Sequence, residues 1–361
     1  MTDQPTPRYF AASNSSIGFK NYYADCFGGG RTDYLYIIKG GPGTGKSHFM
    51  KSISRSAAIH GYRVTEYACS SDPASLDGLI LEKPHAPTVG FVDGTAPHVW
   101  EPTAPGVREE IINLGEFWNR DILIESKAAI AEQSRGKSTA YARAYAALRA
   151  AGDMDAVADS LVDACVRREA LTHLADRILR VVPDGSAFAP RPALRRALGM
   201  TGDACLHTFE HQASASGGRI LVIDDYYGLG AYLTADLLAV SRERKLSPLV
   251  SYDPLYPSKV DGLYYPESGL CVLVGNAEAE DAGLIRSISL RRYADAAKLR
   301  EVRGELRTVS GLRDRLVDQA RHSLAVAARH HFELESIYTS AMDFPAKESF
   351  AARFCLDLFR S

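Results

Sequence analysis

Gly40-Gly41-Pro42-Gly43-Thr44-Gly45-Lys46-Ser47 fits G-x-x-x-x-G-K-[ST], the spacing of a phosphate-binding P-loop. Glycines let the backbone curl so that successive N–H groups point at phosphate oxygens. The lysine brings positive charge to the β- and γ-phosphates, and the hydroxyl ligates Mg²⁺. Upstream, Tyr34-Leu35-Tyr36-Ile37-Ile38-Lys39 is rich in β-branched and aromatic residues and predicts a buried strand. Downstream, Phe49, Met50, Ile53 and Ala57 recur at helical spacing, with Gly61 as the stop. A helix starting at the loop adds its N-terminal dipole to an anion site. Strand, loop and helix in this order predict an α/β fold with a P-loop-type parallel sheet. The residues expected to hold a nucleotide are Gly41, Pro42, Gly43, Thr44, Gly45, Lys46, Ser47 and His48.

Such a site needs a second acid near Mg²⁺, at the end of an apolar strand. Thr88-Val89-Gly90-Phe91-Val92-Asp93 supplies one, so Ser47 and Asp93 are the expected Mg²⁺ ligands. Thr95, His98 and Glu101 follow, and His98 joins Lys46 and Asp93 as a catalytic candidate. Asp224, at the end of Ile220-Leu221-Val222-Ile223, is the alternative Mg²⁺ ligand if the chain is one ATPase with a large helical insertion. No residue stands out as the group that orients water. A guanine-reading N/T-K-x-D motif is absent, and Ser258-Lys259-Val260-Asp261 does not follow an apolar strand, so ATP is preferred over GTP.

The second half of the sequence copies the first. With an offset of 185, Gly228 falls on Gly43 and Gly230 on Gly45, while Ala231 and Tyr232 replace Lys46 and Ser47. Asp72-Pro73 matches Asp253-Pro254, and Leu76-Asp77-Gly78-Leu79 matches Val260-Asp261-Gly262-Leu263. Val89–Asp93 matches Cys271–Gly275, and Ile112-Asn113-Leu114 matches Ile288-Ser289-Leu290, where the offset has drifted to 176. Lys46, Ser47 and Asp93 lack chemical equivalents, which predicts a degenerate second site. Asp72, Asp77 and Gly78 keep theirs, which reads as turn and capping chemistry.

Two segments have helical periodicity, from about 107 to 182 and from about 290 to the end. The second carries an apolar stripe at Leu299, Val302, Leu306, Val309, Leu312, Leu316, Ala320 and Leu324. These arms are expected to pack on each other or on the sheets, with a protein partner as the other use. Arg300, Arg303, Arg307, Arg313, Arg315 and Arg321 alternate with Glu301, Glu305, Asp314 and Asp318, which reads as a solvated mixed-charge face. The division expected is 1–185 for a nucleotide-binding half and 186–361 for its degenerate copy.

At 361 residues the chain has room for about two domains. A net charge of −2 gives no field for nucleic acid. Six scattered cysteines without a C-x-x-C pair suit reduced thiols. No apolar run is long enough for a bilayer and the N-terminus lacks a signal-peptide core, so a cytoplasmic location is expected. His207-Thr208-Phe209-Glu210-His211 matches H-x-x-E-H, a zinc pattern, but no third ligand is evident.

Tyr9-Phe10, Ser16-Ile17-Gly18-Phe19, Ile37-Ile38-Lys39 with the P-loop, Cys69-Ser70-Ser71-Asp72, Leu76-Asp77-Gly78, Val92-Asp93-Gly94-Thr95-Ala96-Pro97-His98, Ile112–Trp118 and Tyr338–Phe344 together carry a further likeness. Over nearly the whole chain they resemble an uncharacterised bacterial family of P-loop ATPases with two tandem nucleotide-binding halves. The resemblance implies ATP binding with Mg²⁺ and its hydrolysis to ADP and phosphate. Members of that family can carry a P-loop in each half, and here Ala231 and Tyr232 replace the lysine and hydroxyl of the second. The expected function is an ATPase whose hydrolysis moves its halves or arms. A small-molecule phosphotransferase and a non-hydrolysing nucleotide sensor or scaffold are the alternatives.

Overall fold

The computed structural model describes residues 6–275 and 285–360. Two six-stranded sheets dominate it, with helices on their faces. In the first sheet, β4 (Tyr34–Lys39) is an interior strand whose Leu35, Ile37 and Ile38 are fully buried, and it runs parallel to β7 (Val89–Asp93) and to the edge strand β8 (Glu109–Asn113). Outward from β7 lie β6 (Leu76–Glu82), β5 (Arg63–Ala68) and the edge strand β1 (Arg8–Phe10).

The expectation of parallel sheets needs correction. β6 runs antiparallel to both β5 and β7, so the sheet is mixed. The reason is connection length: the links at 69–75 and 83–88 are far too short for a crossover, which takes a dozen or more residues. The helical reading from about 107 also starts too early. Glu109–Asn113 is strand β8, whose backbone completes the ladder beside β4.

The second sheet is built from β16 (Ile285–Ser289), β12 (Arg219–Asp224), β15 (Leu270–Val274), β14 (Val260–Tyr265), β13 (Leu249–Tyr252) and β9 (Arg191–Pro192), in that order. Its order and its pattern of parallel and antiparallel neighbours repeat those of the first sheet strand by strand. Each sheet also carries a small hairpin: β2 (Ala12–Ser15) with β3 (Gly18–Asn21), and β10 (Arg196–Gly199) with β11 (Gly202–Cys205). The register adjusts one sequence match. Gly94 and Gly275 donate to Ile38 and Ile223 respectively, so Val274 rather than Gly275 stands where Asp93 does.

Helix α2 (Lys46–Ile59) buries Phe49, Met50, Ile53 and Ala57 on the first sheet. Each large side chain so buried is worth about 1.5–3 kcal/mol. Its counterpart α7 (Leu229–Glu243) buries Leu233, Leu237 and Val240 on the second.

The arms are exchanged. Helix α4 (Lys127–Asp163) and helix α8 (Ala296–Ser340) pack antiparallel, with Gln133 against His330 and Asp155 against Arg313. An alanine-rich seam, including Ala140, Ala144, Ala320 and Ala327, lets them approach closely. At about 1.5 Å per residue they span roughly 55 and 70 Å. The first arm ends in α5 (Arg168–Leu179), which packs on α7 of the second sheet. The second ends in α9 (Phe344–Leu358), which packs on α2 of the first through Phe350 and Phe354.

The contacts are reciprocal. Asn119 donates to the Ala341 carbonyl and Asp295 to that of Cys165, while Arg167 donates to Tyr293 and Asp343 to Phe117. Phe10 and Leu194 bond each other in both directions at the centre. This is the pattern of an isologous two-fold interface, here within one chain. No helix among the described residues is long and apolar enough to cross a membrane.

Candidate functional site

The Gly40–Ser47 loop lies between β4 and α2, at the C-terminal edge of the parallel part of the first sheet. Gly45, at φ 79°, is the N-cap of α2, a left-handed conformation that glycine adopts without strain. The Lys46 ammonium folds back on the loop, donating to the Gly40 and Gly41 carbonyls at 2.9 Å each, and lies 3.5 Å from Asp93 Oδ2. Asp93 ends β7. Its Oδ1 accepts from the Thr95 backbone N–H at 2.9 Å and the Thr95 hydroxyl at 2.6 Å, which leaves Oδ2 facing the lysine. Ser47 Oγ accepts from the Leu76 N–H at 2.9 Å, tying α2 to the start of β6.

These groups border a cavity of about 420 Å³. Gly40 to Ser47, Asp93, Thr95 and His98 all line it. Two residues read as neighbours of the site go elsewhere: His48 is exposed and pairs with Glu348 at 3.3 Å, and Glu101 pairs with Lys39 at 2.6 Å. Asp224 is exposed at the end of β12 in the second sheet and lines neither cavity described here. Arg291 and Arg292 also lie away from the loop.

Sequence reading missed the cover of this cavity. Lys137 and Tyr141 reach it from α4, and His331, Phe332 and Glu335 from α8. A Cβ on Gly43 would lie 2.7 Å from the Glu335 carbonyl oxygen and 2.5 Å from Thr339 Oγ1, so α8 rests directly on the loop. Burial, then Lys137 and Lys46, push the His331 imidazole down to about 4, so it is neutral at pH 7. Only the exchanged arms bring these residues here, and no local pattern in the sequence signals it.

Asp77 also differs from its sequence reading. Asp72 does cap a turn, accepting from the Ala74 N–H and the Ser75 hydroxyl. Asp77 instead sits at a bulge where the β5–β6 register slips, and a bulge re-aims a side chain. The bulge turns its carboxyl into the cavity, where it is buried, 3.6 Å from His98 Nε2. Burial pushes this carboxyl up, opposed by His98 and reinforced by Asp93. His98 Nδ1 is 3.0 Å from the Asp93 carbonyl, so that nitrogen carries the proton and donates.

The second sheet has a cavity of about 560 Å³ in the corresponding place, lined by Gly228, Ala231, Asp225, Asp253 and Asp261. The arms repeat their contribution at the 176-residue offset. Arg313 stands for Lys137 and Val317 for Tyr141, while Asp155 and Asp159 stand for His331 and Glu335. Ion pairs fill the chemistry. Lys259 Nζ lies 2.5 Å from Asp155 and 2.9 Å from Asp159, and Arg196 lies 2.6 Å from Asp261 and 3.3 Å from Asp253. Arg313 reaches Asp155 at 3.4 Å, so it is not part of a purely solvated face.

The H-x-x-E-H segment forms helix α6 (Thr208–Ala215), where His207 pairs with the buried Glu210 at 3.2 Å. Among the described residues the one three-ligand cluster is elsewhere, at Asp77, Asp93 and His98. All six cysteines are free thiols. No family model, no curated protein and no solved structure matches this chain.

Proposed function

We propose that the protein is a P-loop NTPase of two tandem halves, in which the first half binds Mg-ATP and the second is a degenerate copy. The observation that carries this reading is the meeting of Lys46 and Asp93, 3.5 Å apart, beside a glycine-rich loop at the N-terminus of α2. A cation, a strand-end carboxylate and a helix N-terminus beside one cavity suit a phosphate–Mg²⁺ group. In this reading the loop's N–H groups and Lys46 hold the β- and γ-phosphates. Ser47 and Asp93 are the residues that would hold Mg²⁺, which supplies charge neutralisation at the transferring phosphate.

The same topology in both sheets supports the tandem reading. In the second cavity Ala231 stands where Lys46 does, and carboxylates of α4 face the loop, which suits no polyphosphate. The exchanged arms support coupling of hydrolysis to motion. Helix α8 rests on Gly43, so phosphates gained or lost at the loop press on an arm that also lines the second cavity.

The test is calorimetric titration of Mg-ATP with a parallel turnover assay. One nucleotide per chain is expected, and Lys46→Ala should cost at least about 100-fold in affinity or turnover, equivalent to about 2.7 kcal/mol. Unchanged affinity and turnover in Lys46→Ala would remove the proposal.

A further inference from the structure

Asp77 and Asp261 are the residues skipped by equivalent bulges, between Tyr67 and Ala68 opposite β6 and between Ser251 and Tyr252 opposite β14. Both are buried. Asp261 has fixed cations: Arg196 Nε at 2.6 Å and Arg195 Nε at 3.9 Å. In the first half the same hairpin positions hold Ala11 and Ala12, which bring no charge. Asp77 therefore has no guanidinium, and Lys46 is committed to the loop carbonyls and Asp93. Two buried carboxylates, Asp77 and Asp93, thus share one ammonium and one imidazole, that of His98 at 3.6 Å from Asp77. A buried carboxylate without a permanently charged counter-ion requires a proton, its own or one on that imidazole, or a metal.

The geometry favours a metal. One ligand atom each from Asp77, Asp93 and His98 lies within 4.8 Å of the others. His98 Nδ1–H donates to the Asp93 carbonyl, the arrangement that orients metal-bound imidazoles, and this turns Nε2 toward Asp77. The Tyr23 ring stacks on His98 with centroids 5.0 Å apart. Its hydroxyl is fully buried with no hydrogen bond of good geometry, and Asp77 and Asp93 are the carboxylates facing it. That hydroxyl is a buried donor aimed at the Asp77 carboxyl.

We propose that Asp77, Asp93 and His98 form a site for a divalent transition-metal ion that binds without nucleotide. One imidazole and two carboxylates suit Mn²⁺, Fe²⁺ or Zn²⁺ better than Mg²⁺ or Ca²⁺, which take oxygen ligands. The ion occupies the charge position that Arg196 fills in the other half. It shares Asp93 with the Mg-ATP reading but does not depend on it.

The experiment is titration of the nucleotide-free full chain with Mn²⁺, read by loss of the free-ion electron paramagnetic resonance signal and by calorimetry. One equivalent should bind in the micromolar range. Asp77→Asn, nearly isosteric, and His98→Gln should each weaken binding at least about 10-fold, with circular dichroism and thermal unfolding confirming the fold. Asp224→Asn, an exposed carboxylate, should leave it unchanged. Lys46→Met should tighten Mn²⁺ binding several-fold by removing the competing ammonium, while abolishing ATP binding. Mn²⁺ uptake only with ATP present, or uptake indifferent to Asp77→Asn, overturns the site and leaves the nucleotide reading standing. Mn²⁺ uptake without any ATP binding does the reverse.

Discussion

Asp77 and Asp261 occupy the same bulge in two sheets of the same topology, yet only Asp261 is met by a guanidinium, that of Arg196 at 2.6 Å. The two halves thus share a backbone device and differ in how its charge is closed. In the second half the closure is internal, and Arg196 also pairs with Asp253, whose carboxyl burial pushes up.

Arg196→Met leaves the buried Asp261 and the half-buried Asp253 short of a partner. Removing one side of a buried ion pair costs about 3–5 kcal/mol, and partial exposure of Arg196 brings the expected loss to about 2 kcal/mol. Urea unfolding measures it. Adding Asp261→Asn should recover part of the loss, and a double mutant no more stable than Arg196→Met would contradict the pairing.

Ala231→Lys places a lysine at the position matching Lys46, but the surroundings of the cavity are acidic and already paired. The expected stoichiometry stays at one ATP per chain by calorimetry. A second equivalent would show that the loop lysine alone makes the site.

Gly43→Ala tests the seat of α8. The residue has φ 72°, and its new methyl would meet Thr339 and the Glu335 carbonyl. Strain of this kind costs about 1–3 kcal/mol. Thermal unfolding should fall accordingly, and amide exchange should rise at 335–339. Unchanged exchange there would mean that α8 does not bear on the loop.

His331 sets a pH dependence. Its folded value of about 4 lies below the ordinary 6.5, so the unfolded chain takes up the proton first on acidification. The stability conferred by the neutral imidazole is complete above about 6.5 and is lost as pH falls towards 4. His331→Gln should flatten the fall in melting temperature across that window. A parallel fall in both proteins would place the sensitivity elsewhere.

Local patterns carried much of this protein. The stretch from Tyr34 to Ile59 specified strand, glycine loop and helix because burial, positive φ and helical spacing are each encoded within a few residues. Asp93 was legible as the acid ending an apolar strand, and the repeat was legible because both halves keep the same order of short motifs. Asp77 was not. A bulge inside Leu76-Asp77-Gly78 looks like a turn in one dimension, and only pairing with β5 shows which residue is skipped.

The sequence by itself determined the loop at Gly40–Ser47, the apolar strand ending in Asp93, the alanine at the position that matches Lys46 and the existence of two helical arms. The tertiary structure decided the mixed strand directions, the burial of Asp77 beside His98 and the exchange of the arms. It also put His331 and Glu335, nearly 300 residues away in sequence, over the loop. The physical reason is range. Turn chemistry and periodicity act between near neighbours, whereas the arms cross because α5 and α9 each bury their apolar faces on the other half's sheet helix, an energy no local segment contains.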